Sequence, residues 1–165
     1  MPNFDPLFSE TKVRPIIYKG KSLVRVDKFP VQNGDVLIAS IDEVDYSKRQ
    51  QGFSIDITGY CEINGKIHKK GKGIMVFLWH DKMPKQIEIK VFTKQDFVWI
   101  QNIWENTNRY RAYGIEKESK STSYGCGGGA MIVEEIENGR RYRCNDGEPD
   151  EDFDDIIFTI QKLKI

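Results

Sequence analysis

The pattern that most limits how this chain can fold is a two-residue alternation of apolar and polar side chains, in short runs ended by turn residues. In residues 51–63, Phe53, Ile55 and Ile57 fall on one side of an extended backbone, and Ser54, Asp56 and Thr58 on the other. A helix has a period of about 3.6 and cannot sort them in this way. The run ends at Asn64-Gly65, the strongest hairpin signal in the chain, because a type I′ turn needs positive φ at both central residues. Residues 86–93 alternate again through Ile87, Ile89 and Val91, after a break at Met83-Pro84. Shorter β-branched runs at 13–18, 22–27 and 35–41 are separated by Lys19-Gly20 and by Pro30 with Asn33-Gly34. Residues 74–79 are continuously apolar, as expected of a strand buried on both faces or in the core of a sandwich. Residues 130–136 and 140–144 read as a second hairpin, turning at Asn138-Gly139.

Two stretches are less regular. In residues 96–104, Phe97, Ile100, Ile103 and Trp104 stand at helical spacing, but Phe97-Val98-Trp99-Ile100 is rich in strand formers and its neighbours are strands. Strand is therefore expected there, with 109–117 alternating less cleanly after it. Residues 119–129 are rich in Ser and Gly and are expected to form a loop. Ten or so short strands without a convincing helix predict an all-β fold, an antiparallel β-sandwich or jelly roll. The expected organisation is one domain over 13–165, preceded by an N-terminal arm over 1–12. At 165 residues the chain can bury a core without disulfide or metal staples.

Composition removes several classes of function. The 25 basic residues balance 25 acidic ones and form no dense stripe, so neither nucleic acid nor an anionic membrane is an expected partner. No apolar run approaches the ~20 residues of a membrane-spanning helix, and the opening residues lack the pattern of a secretory signal. Cys61, Cys126 and Cys144 have no zinc-site spacing; reduced thiols are expected, with Cys126 and Cys144 the pair should a disulfide form. His68 and His80 stand in no context that marks a nucleophile's partner. The glycines at 125 and 127–129 lack the Lys-Ser/Thr and the helix of a phosphate-binding loop. The chain is expected not to be an enzyme. Trp79, Trp99 and Trp104 could stack on sugar rings, although such residues more often fill a sandwich core; Trp104, beside the polar residues 105–108, is the one singled out for a ligand.

The charge balance hides a concentration. Residues 145–155, NDGEPDEDFDD, hold seven carboxylates and no Lys or Arg, and a strand-like run follows at once. Without those seven acids the chain would carry a surplus of seven positive charges. Like charges so close repel, and a divalent cation is the simplest reason to gather them. Calcium (Ca2+) takes six to eight oxygens in a flexible shell, whereas magnesium demands a tighter octahedron. Asp146, Asp150, Asp152, Asp154 and Asp155 are the candidate metal ligands, with Gly147 and Pro149 bending the backbone. If extended, residues 150–154 would send Asp150, Asp152 and Asp154 to one side, with Phe153 anchoring the turn in the core. The EF-hand spacing of Gly and Glu is absent.

An acidic residue, a short spacer, then Asp-x-Asp-aromatic-Asp-Asp running into an apolar strand near the C-terminus resembles the calcium-mediated soluble bacterial lectins that bind fucose and mannose. It is similar also to related bacterial calcium-binding β-sandwich domains. The resemblance covers about twenty residues and implies that sugar hydroxyls complete the coordination of bound calcium. It carries the ligand roles to Asp146, Asp150, Asp152, Asp154 and Asp155. Asp154 stands where those lectins have Asn, and the tail lacks their terminal Gly. Because those lectins use a neighbouring subunit's terminal carboxylate, the resemblance also implies a homodimer. The expected function is thus a calcium-binding β-sandwich that recognises carbohydrate through Asp150, Asp152 and Asp154. The alternative is a secretion-, phage- or toxin-associated interaction module whose acidic turn docks a basic partner.

Overall fold

The computed structural model describes residues 4–8, 15–45, 49–124, 129–146 and 153–163. A single helical turn, α1 (Asp5–Phe8), precedes the hairpin β1 (Ile16–Tyr18) and β2 (Lys21–Leu23). Then follow β3 (Asp27–Pro30), β4 (Val36–Val44), β5 (Gln51–Ile57), β6 (Gly59–Ile63) and β7 (Lys66–His68). After these come β8 (Ile74–Trp79), β9 (Gln86–Thr93), β10 (Phe97–Ala112) and β11 (Ile115–Ser123). The chain ends with β12 (Ala130–Ile136), β13 (Gly139–Asn145) and β14 (Ile156–Lys162). One sheet has the order β11-β10-β5-β8, with β3 on the same edge of β10 as β11. The other runs β12-β13-β14-β4-β9-β6-β7. The pairings between these strands are antiparallel, and the two sheets pack face to face as an all-β sandwich.

The core is built from the inward half of each alternation. Phe53, Ile55 and Ile57 of β5 meet Leu37 and Ala39 of β4, Ile87, Ile89 and Val91 of β9, and Phe158 of β14. The rings of Phe53 and Phe158 stack across the two sheets at 4.3 Å, with Tyr142 on the other side of Phe158 at 4.8 Å. Burying a side chain of that size stabilises the fold by about 2–3 kcal/mol. A smaller cluster lies apart: Phe4 and Phe8 pack with Leu23, Ala130 and Phe153. Residues set apart from the domain on sequence grounds as an arm are therefore docked at positions 4 and 8.

Several expectations shift in detail. Residues 51–63 are not one strand: the alternation holds to Ile57, then the chain crosses to the opposite sheet at Thr58-Gly59. Gly59 has φ of +151°, and a Cβ there would stand 1.9 Å from the Phe92 carbonyl oxygen. Only glycine fits that crossing. Asn64 and Gly65 do form the expected turn, at φ of +53° and +77°. Residues 97–104 are strand, but the strand runs on to Ala112 and turns at Tyr113-Gly114, so 109–117 is a hairpin tip. Its partner β11 includes residues 119–123, which the Ser-rich composition suggested were loop. The later hairpin turns on Glu137 and Asn138, one residue earlier than expected, with Gly139 already in β13. The apolar run of β8 is an edge strand of the five-stranded sheet, and Met75 and Phe77 are exposed rather than buried on both faces.

Candidate functional site

The acidic segment connects two neighbouring strands. Cys144 of β13 pairs with Ile156 of β14, so residues 146–155 form an elbow whose two ends are held side by side. Asp146 begins it and Asp155 closes it. The Asp155 carboxylate accepts a hydrogen bond from the Asp146 N–H at 2.9 Å, and the Asp155 N–H donates to the Cys144 carbonyl at 3.1 Å. Both acids are buried, 4% and 5% exposed. Asp154 is exposed. Asp150 and Asp152 lie outside the described residues.

Phe153 fixes the return of the elbow. Its ring is buried in the smaller cluster, and its N–H donates to Asn145 Oδ1 at 2.7 Å. Its φ is +54°, a left-handed conformation that a bulky side chain adopts only under constraint. The extended alternation expected over 150–154 is therefore interrupted at 153, and Asp154 is not placed by a regular two-residue repeat.

A polar layer between the sheets supports the elbow. Gln51 donates through Nε2 to Asp146 Oδ2 at 2.7 Å, and Arg49 Nε approaches the same oxygen at 3.7 Å. Asn102 donates through Nδ2 to the Asn145 carbonyl at 2.8 Å. Arg49 also donates to Asn106 Oδ1 at 2.8 Å, and Asn106 donates to Ser123. His80 Nδ1 lies 2.9 Å from the Gln51 carbonyl oxygen. Sequence reasoning missed Gln51 and Asn102. The signal was there: both occupy inward positions of alternating strands, Gln51 before Phe53 and Ile55, Asn102 after Ile100, where an apolar residue would otherwise stand.

Among the described residues, three buried polar atoms in this region have no hydrogen-bond partner: Gln51 Oε1, Asn145 Nδ2 and Trp104 Nε1. An unanswered buried acceptor costs about 1–3 kcal/mol. Gln51 Oε1 belongs to the amide that already holds Asp146, so an oxygen without a donor stands beside a buried carboxylate. That donor set is oxygen-rich, which suits a hard cation. Against it stands Arg49, which already supplies Asp146 with positive charge. Among the described residues no three His, Cys, Asp or Glu side chains form a ready metal cage.

One further expected role, that of Trp104, is corrected, while the expected reduced thiols are found at Cys61 and Cys144. Trp104 is fully buried between the sheets opposite Gln51 and cannot stack on a ligand. Cys61 and Cys144 are buried free thiols, so Cys144 is not in a disulfide; Cys126 lies outside the described residues. Burial, and then the Asp155 carboxylate, push the Cys144 thiol well up, and burial raises that of Cys61 to about 11. Neither is a nucleophile at neutral pH. Compared with family models, with curated proteins and with solved structures, the chain matches none.

Proposed function

We propose that this β-sandwich binds calcium at the elbow between β13 and β14 and recognises carbohydrate there, without catalysing a reaction. The observation that carries this reading is a pair of buried acids at the two ends of one segment, Asp146, whose backbone N–H donates to the Asp155 carboxylate, and Asp155 itself, with the unanswered oxygen of the Gln51 amide that holds Asp146. Two buried acids in one turn need compensation, and a bound cation would add to what Arg49, 3.7 Å from Asp146, supplies. Asp154, Asp150 and Asp152 would complete the oxygen set. Bound calcium would supply coordination positions that vicinal hydroxyls can fill, and hydroxyl pairs of the wrong orientation would be rejected.

Calorimetric titration with calcium tests the metal, and a glycan array with and without EGTA tests the sugar. Micromolar to millimolar calcium binding, weakened at least tenfold in Asp152→Ala and in Asp154→Ala, is expected. Unchanged calcium affinity in both variants would show the elbow to be misassigned. One observation favours a second reading: Asp146 already pairs with an arginine, the contact a basic partner would offer. A complex held by such pairs weakens steeply with ionic strength, whereas a chelated ion is stripped by EGTA.

A further inference from the structure

The outer face of the five-stranded sheet carries a groove with unused chemistry. In one row of that face Trp99 of β10 stands opposite Asp56 of β5, which stands opposite Met75 of β8. In the next row Gln101, Ser54 and Phe77 follow in the same order. With Val26 as a further wall, Trp99, Asp56, Met75, Gln101 and Ser54 enclose about 220 Å³. Drug-sized pockets run from about 300 to 1,000 Å³, so this one suits a single small ring.

The floor is polar and unanswered. Ser54 is 2% exposed and Gln101 8% exposed, yet neither side chain makes a hydrogen bond with any described residue. Asp56 likewise has no hydrogen bond or ion pair among the described residues, and burial alone raises its carboxyl above the usual range. Their polar atoms are not among the fully buried ones without a partner, so they open onto the groove and are available to a ligand. Beside them stand an indole, a thioether and an exposed phenyl ring on β8. A hydroxyl can donate to Asp56 and can both donate to and accept from Gln101 and Ser54. An ammonium would answer Asp56 and Trp99 but leave the amide donors of Gln101 without an acceptor. An anion would be repelled by Asp56.

We propose that this groove binds one pyranose ring of a neutral glycan, Trp99 lying against its C–H face while Asp56, Gln101 and Ser54 take its hydroxyls. The groove stands apart from the elbow and needs no metal. Along β5, Asp56 is five residues from Gln51, about 17 Å at the strand rise, and faces the other side of the sheet.

Isothermal titration of the full chain with a panel of neutral oligosaccharides built from glucose, mannose, galactose and xylose, in excess EGTA, tests it. At least one panel member should bind in EGTA, and both Trp99→Ala and the isosteric Asp56→Asn should weaken it at least tenfold. Retained circular dichroism and thermal midpoint in Asp56→Asn would exclude misfolding as the cause. Binding absent from every panel member in EGTA would overturn the groove, as would binding that both variants leave unchanged. Binding seen only with calcium would support the elbow and still overturn the groove, so the two failures are told apart.

Discussion

Two glycines separate two physical reasons for having no side chain. At Gly65 the φ of +77° is unfavourable for an L residue, but a Cβ would meet nothing within 4 Å. At Gly59 the same added atom would lie 1.9 Å from the Phe92 carbonyl oxygen, in the backbone of a paired strand that cannot swing aside. Gly65→Ala should therefore cost about 1–2 kcal/mol, the left-handed penalty alone. Gly59→Ala should cost more than about 4 kcal/mol, in the range of the most damaging substitutions, or prevent folding. Urea denaturation of the two variants checks the order. If they are equally destabilised, the crossing at 58–59 is looser than its geometry indicates. Asn64-Gly65 was readable from sequence because a turn dipeptide is a local preference. The need at Gly59 was not, since it comes from Phe92, which is distant in sequence and adjacent only after the sheets have formed.

Between elements, a half-buried polar contact ties the two sheets together. Tyr142 of β13 donates its hydroxyl to Asp27 Oδ2 of β3 at 2.5 Å, and Arg140 donates to the same oxygen at 2.9 Å. Burial, and then the Asp27 charge, raise the Tyr142 phenol far above its usual value near 10. In the unfolded chain that phenol ionises from about pH 10 upward, while in the fold it stays neutral. The unfolded state then loses its proton first, so stability falls as pH rises above about 10, by roughly 1.4 kcal/mol per pH unit. Below that pH Tyr142 adds no slope. Tyr142→Phe should lower stability at pH 7 by about 1 kcal/mol or somewhat more and flatten the decline above pH 10. Denaturant midpoints at pH 7, 9 and 11 for both proteins test this; an unchanged alkaline slope would mean another group controls it. Elements themselves were largely legible, because β5, β9, β12 and β13 carry their inward residues at every second position. What failed did so where partners decide. β8 looks like a core strand by composition, yet it ends its sheet, and nothing in Ile74–Trp79 states how many neighbours it will have. Likewise 119–123 is strand because β10 is long enough to pair with it, although its Ser and Lys residues have weak β preference.

At the scale of the molecule, charge is sorted by end. Of the acids in residues 145–155, Asp146 lies where β5 begins, in contact with Gln51. At the other end of β5, Gly59 lines a groove of about 450 Å³ with Lys69, Lys72 and Lys94, and no acid among the lining residues. The strand between spans seven residues, about 23 Å, well beyond the ~8 Å over which physiological salt leaves exposed charges in contact. Those lysines are therefore too distant to neutralise Asp146 and Asp155, whose described cation is Arg49 beside Asp146. A ligand that binds only the folded elbow raises stability by mass action, about 2.7 kcal/mol when present at a hundred times its dissociation constant. For a domain of this size that corresponds to a midpoint rise on the order of 5–10 °C. Calcium should produce such a rise at millimolar concentration or below, EGTA should reverse it, and magnesium should give much less. Sodium chloride supplies the control, because screening alone relieves repulsion without a site. A thermal shift that 300 mM salt reproduces in full, or that magnesium matches, would leave the elbow a screened acidic turn; a shift specific to calcium and lost in Asp154→Ala would make it a metal site.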